Sequence, residues 1–532
     1  MVLLTSIAIL QFIAIAFFTR GFLLSRHVLN DISVPFNETY TPYDAQFNKT
    51  VILIVDALRF DFVIPVESDA SNQYYHNNFP VLYDHFINSN KGTSSDSSIL
   101  LKFIADPPTT TLQRLKGLTT GSLPTFIDAG SNFNGNVIEE DNLIKQFYEN
   151  GKEVLFVGDD TWDALFHPFL SNNSEPFESL NVWDLDTVDN GVINFFDKNL
   201  IHKNENSLHW DVLIGHMLGV DHVGHKYGPN HFTMKDKQIQ VNEFINDIIN
   251  SIDNDTLLVV MGDHGMDHTG NHGGDSIDEL ESTLFLYSKK ANAFNPDIET
   301  SNYNITNMGK SYREVNQVDL VPTLSYLMGT PIPFNSLGWP IEEIFTTELG
   351  KRSMMRATLE QLDNYKIKMN IDLEDGFEFD GSKEHTTAMI LNKAYLSGDF
   401  KLAEKYQTKF LEICKNLWAR FAYHSIATGV VLMTISTMLL LSIAKVIPSI
   451  VIDQMVPEFT PWIIMMTLIS TACFHGIYYV YHQPPFLNSV LWSTLFGAAV
   501  GIIIGCCIPI FDRYSFGWIF IRFFQDLIAD YW

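Results

Sequence analysis

Cysteine is nearly missing from this chain of 532 residues: there are four, Cys414, Cys473, Cys506 and Cys507, and none precedes residue 414. The long middle of the chain therefore has no disulfides. Basic residues are also scarce, 34 Lys and Arg against 62 Asp and Glu, for a net charge of −28. That balance argues against a nucleic-acid partner or attraction to an anionic lipid surface, because both reward clustered positive charge. Internal repeats and long low-complexity linkers are absent, which leaves no solenoid or tethered-module reading.

Long apolar runs are present. Residues 2–18 carry no charge and approach the ~20 residues that cross a bilayer. Three further apolar stretches lie near 423–443, 461–481 and 489–511, with a fourth from 514 to 530. The expectation is a membrane protein in four parts: an uncleaved N-terminal signal anchor at 1–24, a soluble domain at 40–350, a helical stalk at 351–420 and a membrane domain of three or four helices at 421–532. Sequons at Asn37, Asn48, Asn172, Asn254 and Asn304 suit exposure of the soluble part to the secretory lumen. Arg20 and Arg26 after the first run oppose that orientation by the positive-inside rule, but long domains often translocate regardless of flanking charge.

Between 40 and 350, short β-rich runs alternate with amphipathic stretches, the pattern of an α/β domain around a largely parallel sheet. Four of these runs, 50–55, 153–158, 211–219 and 256–262, lead into Asp56, Asp159 and Asp160, Asp221, and Asp263. Loops leaving the carboxyl ends of parallel strands converge on one edge, where such sheets bind their ligands. The spacing of Ile245, Ile248, Ile249 and Ile252 predicts a helix over 234–252.

The segment GDHGMDHTGNHGGD, 262–275, concentrates metal-ligand side chains after the last of these strands. Asp263 and His264 come first, and a glycine-containing loop lets His272 fold back toward them. Upstream, GVDHVGH offers Asp221 and His225. With Asp56 these make six imidazole and carboxylate donors, enough for two zinc ions. A lone strand-end aspartate is as readily a turn or cap residue, whereas six donors from three strand ends form a site. His216, His222 and His268 fit either supporting partners or plain loop histidines and stay outside the ligand set. Paired metals suit phosphoryl transfer, one activating the attacking oxygen and one stabilising the leaving oxygen. The segment DPPTTTLQRLKGLTTGSLP, 106–124, supplies candidate hydroxyls before a helix that starts near Leu112; they suit a nucleophile or a simple N-cap. In GDDTWDALF, the acids and Trp162 either line the cleft, with the indole facing a ligand ammonium, or form a turn and a core tryptophan.

Together, VILIVDALRFDF, PPTTTLQRLKGLTTGSLPTFIDAGSNF, HMLGVDHVGHKYGPNHFTMKDKQI and GDHGMDHTGNHGGDS closely resemble the GPI ethanolamine phosphate transferases of the alkaline phosphatase superfamily, most of all the type acting on the third mannose. The resemblance covers about residues 50–330 and implies an alkaline-phosphatase-like catalytic domain. It assigns one zinc to Asp56, Asp263 and His264 with the nucleophile, and the other to Asp221, His225 and His272. Counting back from Gly121 as in related phosphodiesterases indicates Thr111 as nucleophile, with Thr110 as the fallback. It further implies that phosphatidylethanolamine donates phosphoethanolamine to that threonine, and that a mannose 6-hydroxyl of a GPI lipid accepts it in the lumen of the endoplasmic reticulum. A small membrane partner subunit belongs to the same expectation. Such enzymes continue through a longer series of membrane spans than the three or four read here.

The rivals are a phosphodiesterase or sulfatase of the same superfamily and a non-catalytic membrane scaffold that binds GPI precursors. Sulfatases need a cysteine or serine in a Cys/Ser-x-Pro-x-Arg setting, and here threonines occupy the nucleophile region. A scaffold has no use for an activated hydroxyl.

Overall fold

A computed structural model describes residues 2–22, 29–35, 42–66, 73–123, 137–295, 312–371, 396–418, 423–446, 449–480 and 490–513. The chain divides into two compact units, Ser25–Ala419, and Met1–Leu24 together with Arg420–Trp532.

The larger unit is built on β1 (Lys49–Val55), β2 (Ser97–Ile104), β3 (Val154–Asp159), β4 (Glu175–Phe177), β5 (Val212–Met217), β6 (Thr256–Met261), β7 (Glu281–Ser288) and β8 (Glu314–Asn316). They form one sheet in the order β4-β3-β5-β1-β6-β7-β2-β8. The four strands expected from sequence, β3-β5-β1-β6, are four of its five adjacent parallel strands, with β4 as the fifth. β7 runs antiparallel to both β6 and β2, so the sheet is mixed but mostly parallel. Both faces are covered: Ile52 and Ile54 of β1 point into one apolar core, Val51, Leu53 and Val55 into the other. Burial on both sides explains why these strands read as unbroken apolar runs.

The helix predicted over 234–252 spans Phe232–Ser251 and buries Ile245, Ile248 and Ile249 against the sheet; Ile252 is its C-cap. The segment 351–420, expected as a helical stalk, is helical over most of its described residues and packs on the larger unit's core. The helix Glu348–Met369 buries Met354, Met355 and Leu359 in the core, and the helix Phe400–Trp418 buries Phe400, Ala403 and Tyr406 there. Phe410, Leu411 and Cys414 fill a smaller cluster with Leu362 and Tyr365. An amphipathic helix must bury its apolar stripe, and here other helices of the same unit supply the partner.

In the smaller unit the helix Val2–Phe22 packs on Tyr423–Val446, and Ser449–Val480 packs on Val490–Arg513. Among the described residues, Tyr423–Lys445 and Phe459–Gly476 are long and apolar enough to cross a membrane by length and composition. The apolar stretches Ile7–Phe22 and Phe496–Pro509 are shorter, and the expected fourth span at 514–530 lies outside the described residues. The stretch expected at 461–481 belongs to a longer helix, which starts at Ser449 and carries Pro457 and Pro461 within it. Gly497, Gly501 and Gly505 form a column against which Thr471, Thr467 and Ile463 lie so close that a Cβ on any of the three glycines would run into the opposite backbone. His475 closes the same pair, with Ser493 Oγ 3.0 Å from its Nδ1 and Thr494 Oγ1 3.1 Å from its Nε2.

Asp319 starts the helix Leu320–Met328 and accepts the backbone N–H groups of Trp339 and Asn316 at 2.8 and 3.0 Å. Burial pushes its carboxyl up to about 7, whereas an unfolded aspartate ionises near ~3.9. Ionisation is therefore harder in the folded chain, and stability falls as pH rises through that interval. Asp141 and Asp189 shift the same way by burial. The unfolding midpoint should fall between about pH 5 and pH 8, and should fall less in Asp319→Asn. Circular dichroism melts across that range read the slope; an identical slope in the variant would remove Asp319 as a contributor.

Candidate active site

The site forms where parallel strands end. Asp56 follows β1 directly and Asp263 comes two residues after β6. Asp221 and His225 lie four apart on the helix Gly219–Tyr227 that leaves β5, so they share one face. His272 arrives through the loop after β6. Gly270 in that loop has φ +84°, and a Cβ there would strike the Gly224 carbonyl, so only glycine lets the loop press onto the Gly219–Tyr227 helix.

Two donor groups result, Asp56 with Asp263 and His264, and Asp221 with His225 and His272; within each, ligand atoms lie within 4.8 Å of one another. His264 Nε2 is 3.4 Å from Asp56 Oδ1 and 3.3 Å from Asp263 Oδ2. His272 Nε2 is 3.1 Å from His225 Nε2 and 3.5 Å from Asp221 Oδ1. The rings of His264 and His272 stack at 4.0 Å and join the two groups. His264 Nδ1 donates to Gly265 O at 2.8 Å and His272 Nδ1 to Thr109 O at 2.7 Å. A carbonyl can only accept, so each ring carries its proton on Nδ1 and turns a bare Nε2 into the site.

The electrostatics are those of a cation site. Asp56 Oδ1, Asp221 Oδ1 and Asp263 Oδ2 are buried without a hydrogen-bond partner, a costly arrangement in an apolar interior. No Lys or Arg among the described residues forms an ion pair with these three carboxylates. Burial, then the charges of Asp263, Asp221 and Asp159, hold the Asp56 carboxyl well above the usual carboxylate range. Burial lowers His264 to about 4, which keeps it neutral at neutral pH and ready to ligate. Carboxylate oxygen with imidazole nitrogen suits a divalent ion such as zinc.

The three threonines separate by partner. Thr109 Oγ1 donates to Gly274 O at 3.0 Å, and the Thr110 hydroxyl goes to Gln113. Thr111 Oγ1 lies 3.3 Å from Asp56 Oδ2 and 3.3 Å from His264 Nε2. Thr111 is also the first residue of the helix Thr111–Thr120, whose N-cap, Thr110, makes no side-chain cap bond. The first-turn amides there are left free to meet an anion.

A family model described as type I phosphodiesterase / nucleotide pyrophosphatase matches residues 117–319. That span holds five of the six donors and leaves Asp56 and Thr111 outside. GPI ethanolamine phosphate transferase 3 of Saccharomyces cerevisiae is 60% identical over 540 residues, 100% of this chain and 51% of that protein. Over its whole length the chain is thus similar in sequence to a GPI ethanolamine phosphate transferase. The transferase 3 of Eremothecium gossypii is 56% identical, over 100% of this chain and 50% of its own length. The chain thus spans about half the length of the curated relatives it matches. Among solved structures, the alkaline phosphatase PafA aligns with 57% of this chain and 100% of its own at 12% identity and a TM-score of 0.37.

Other residues of this chain support the site, and most were not legible in its sequence. His216, left undecided above, sits on β5 with Nε2 3.5 Å from Asp56 Oδ2; its Nδ1 accepts the Trp162 indole N–H at 3.1 Å. Trp162 is 2% exposed and stacked on Phe156, so it does not line a cleft and offers no face to an ammonium group. Asp159 accepts Thr161 N at 2.8 Å as a turn residue, and Asp160 accepts Ser179 Oγ at 2.7 Å. His222 meets Asp184 O at 2.7 Å, and His268 is exposed on the loop. Asp189 caps the helix that carries Asp221 and His225, accepting Leu218 N and Gly219 N at 2.9 and 3.0 Å, while Lys237 pairs with it at 3.2 Å. Nothing local in the sequence marks Asp189, because its partners lie about 30 and 50 residues away.

Proposed function

We propose that the protein transfers phosphoethanolamine from phosphatidylethanolamine to the third mannose of a mannosylated GPI lipid, through an ester on Thr111 at a two-zinc site. The observation that carries this reading is the Thr111 hydroxyl, 3.3 Å from both Asp56 and His264 at a helix N-terminus. The names of the relatives supply the substrate class.

Asp56, Asp263 and His264 would hold one zinc, and Asp221, His225 and His272 the other; such cations lower the hydroxyl's pKa and offset phosphoryl charge. Thr111 Oγ attacks phosphorus and the phosphorus–oxygen bond to diacylglycerol breaks. Diacylglycerol leaves as the alcohol, taking the proton that Thr111 gives up through Asp56 Oδ2. The 6-hydroxyl of mannose then attacks the Thr111 ester, and Oγ leaves and regains a proton. The free amides of the Thr111–Thr120 helix face the phosphoryl oxygens throughout.

The same reading places the larger unit in the lumen of the endoplasmic reticulum, held at the membrane where both lipids reside, with a small membrane subunit as partner. Asn48, Asn172 and Asn254 are exposed, as glycosylation there requires. The test incubates the full chain in phosphatidylethanolamine vesicles bearing a headgroup label, together with a mannosylated GPI acceptor. Label should move to the acceptor with an equal release of diacylglycerol. Label released only as free phosphoethanolamine, with faster cleavage of nucleotide diesters, would instead make the protein a phosphodiesterase. Binding of the acceptor with no cleavage would leave the scaffold.

A further inference from the structure

Arg114 is 1% exposed and lies three residues after Thr111 on the same helix. Its Nη1 donates to Gln317 Oε1 at 3.2 Å, while Nε and Nη2 have no partner among the described residues. Gln317, itself 1% exposed, donates through Nε2 to the Asp263 backbone carbonyl at 2.5 Å. One side chain thus ties the nucleophile's helix to the turn that presents Asp263 and His264. Among the described residues no carboxylate forms an ion pair with the guanidinium; the charges that act on it most are those of Asp106 and Asp263.

A buried guanidinium with idle donors is a poor stabiliser, since its desolvation is not repaid by an ion pair. A purely structural role would be filled better by an apolar side chain of equal volume. We propose that Arg114 is a positioning residue which, through Gln317, holds Thr111 in register with the Asp56, Asp263 and His264 group. The proposal rests on the function given above. Its mechanical basis does not: the Arg114–Gln317–Asp263 relay joins two segments about 150 residues apart in the chain, and a hydroxyl displaced by ~1 Å from its attack position costs about 10²-fold in rate.

The test uses the full chain with Arg114→Met, Gln317→Met and both together. Arg114→Met should melt no lower than the unaltered protein, with kcat about 10²-fold lower and donor KM within about threefold. The double variant should be no worse than either single one, because each breaks the same relay. A fall in kcat that only follows the folded fraction, or single effects that multiply, would overturn the proposal. Zinc titration gives a readout independent of turnover. Affinity should drop about 10- to 100-fold at one site and hold at the other; equal change at both would count against the relay. Should the unaltered protein neither transfer nor bind zinc, the functional reading fails. The position of Thr111 Oγ1 in a structure of Arg114→Met then decides: separation from Asp56 beyond hydrogen-bond reach supports the relay, and an unmoved hydroxyl overturns it.

Discussion

Thr111→Ala should cut phosphoethanolamine transfer by on the order of 10⁴-fold or more, the scale expected when a covalent nucleophile is removed. The expectation follows from the partners of Thr111 Oγ1, which are Asp56 and His264. The half-buried methyl of Thr111 contributes little to the core, so the melting temperature and zinc content should stay near those of the unaltered protein. Thr111→Ser should retain a substantial part of the rate because it keeps the attacking oxygen. Thr110→Ala is the control: its hydroxyl is engaged with Gln113 on the flank of the helix, and its loss should cost less than about tenfold. A mass-spectrometric profile of GPI precursors in cells whose sole copy carries each variant reads all three. Accumulation of precursors lacking phosphoethanolamine on the third mannose in Thr111→Ala alone is the expected pattern; an unchanged profile in that strain would remove Thr111 from the reaction.

Removal of divalent cations should have the second large effect, abolishing transfer and lowering stability together. Asp56, Asp221 and Asp263 each keep a buried oxygen without a partner, and their mutual charge raises Asp56 further beyond what burial does. A cation in each group relieves both penalties. A ligand present at about 100 times its dissociation constant stabilises the folded state by ~2.7 kcal/mol per site, so chelation should lower the melting temperature by several degrees. Zinc should restore both properties, and magnesium should do so poorly because imidazole is a poor magnesium ligand. A chelated protein that melts unchanged would show that the donor groups are satisfied in some other way.

Much of this site was visible in the sequence because its donors stand at the ends of apolar runs. A strand buried on both faces announces itself by continuous Val, Ile and Leu, and the acid that breaks the run marks its carboxyl end. Asp56, Asp221 and Asp263 were found in that way. His272 was legible through its glycine-containing loop, and Gly270 shows why the glycine matters. β2 and β7 were missed because polar residues dilute their apolar runs, Ser97, Ser98 and Lys102 in β2 and Glu281, Ser282 and Thr283 in β7. Trp162 and the 351–420 segment show the converse limit. Indole beside acids fits a cleft or a core equally in sequence, and an amphipathic helix before a membrane run fits a stalk, until the tertiary partners are known. Arg114, Gln317 and Asp189 were beyond reach, since each matters only through residues far away in the chain.

The glycine column between Ser449–Val480 and Val490–Arg513 bears on how the protein meets lipid. Two backbones that touch without side chains between them leave no slot for an acyl chain. The bilayer would therefore encounter this hairpin as one body with a single outer surface. Its tilt would be shared by both helices, and any lipid approaching the hairpin would travel around it rather than through it.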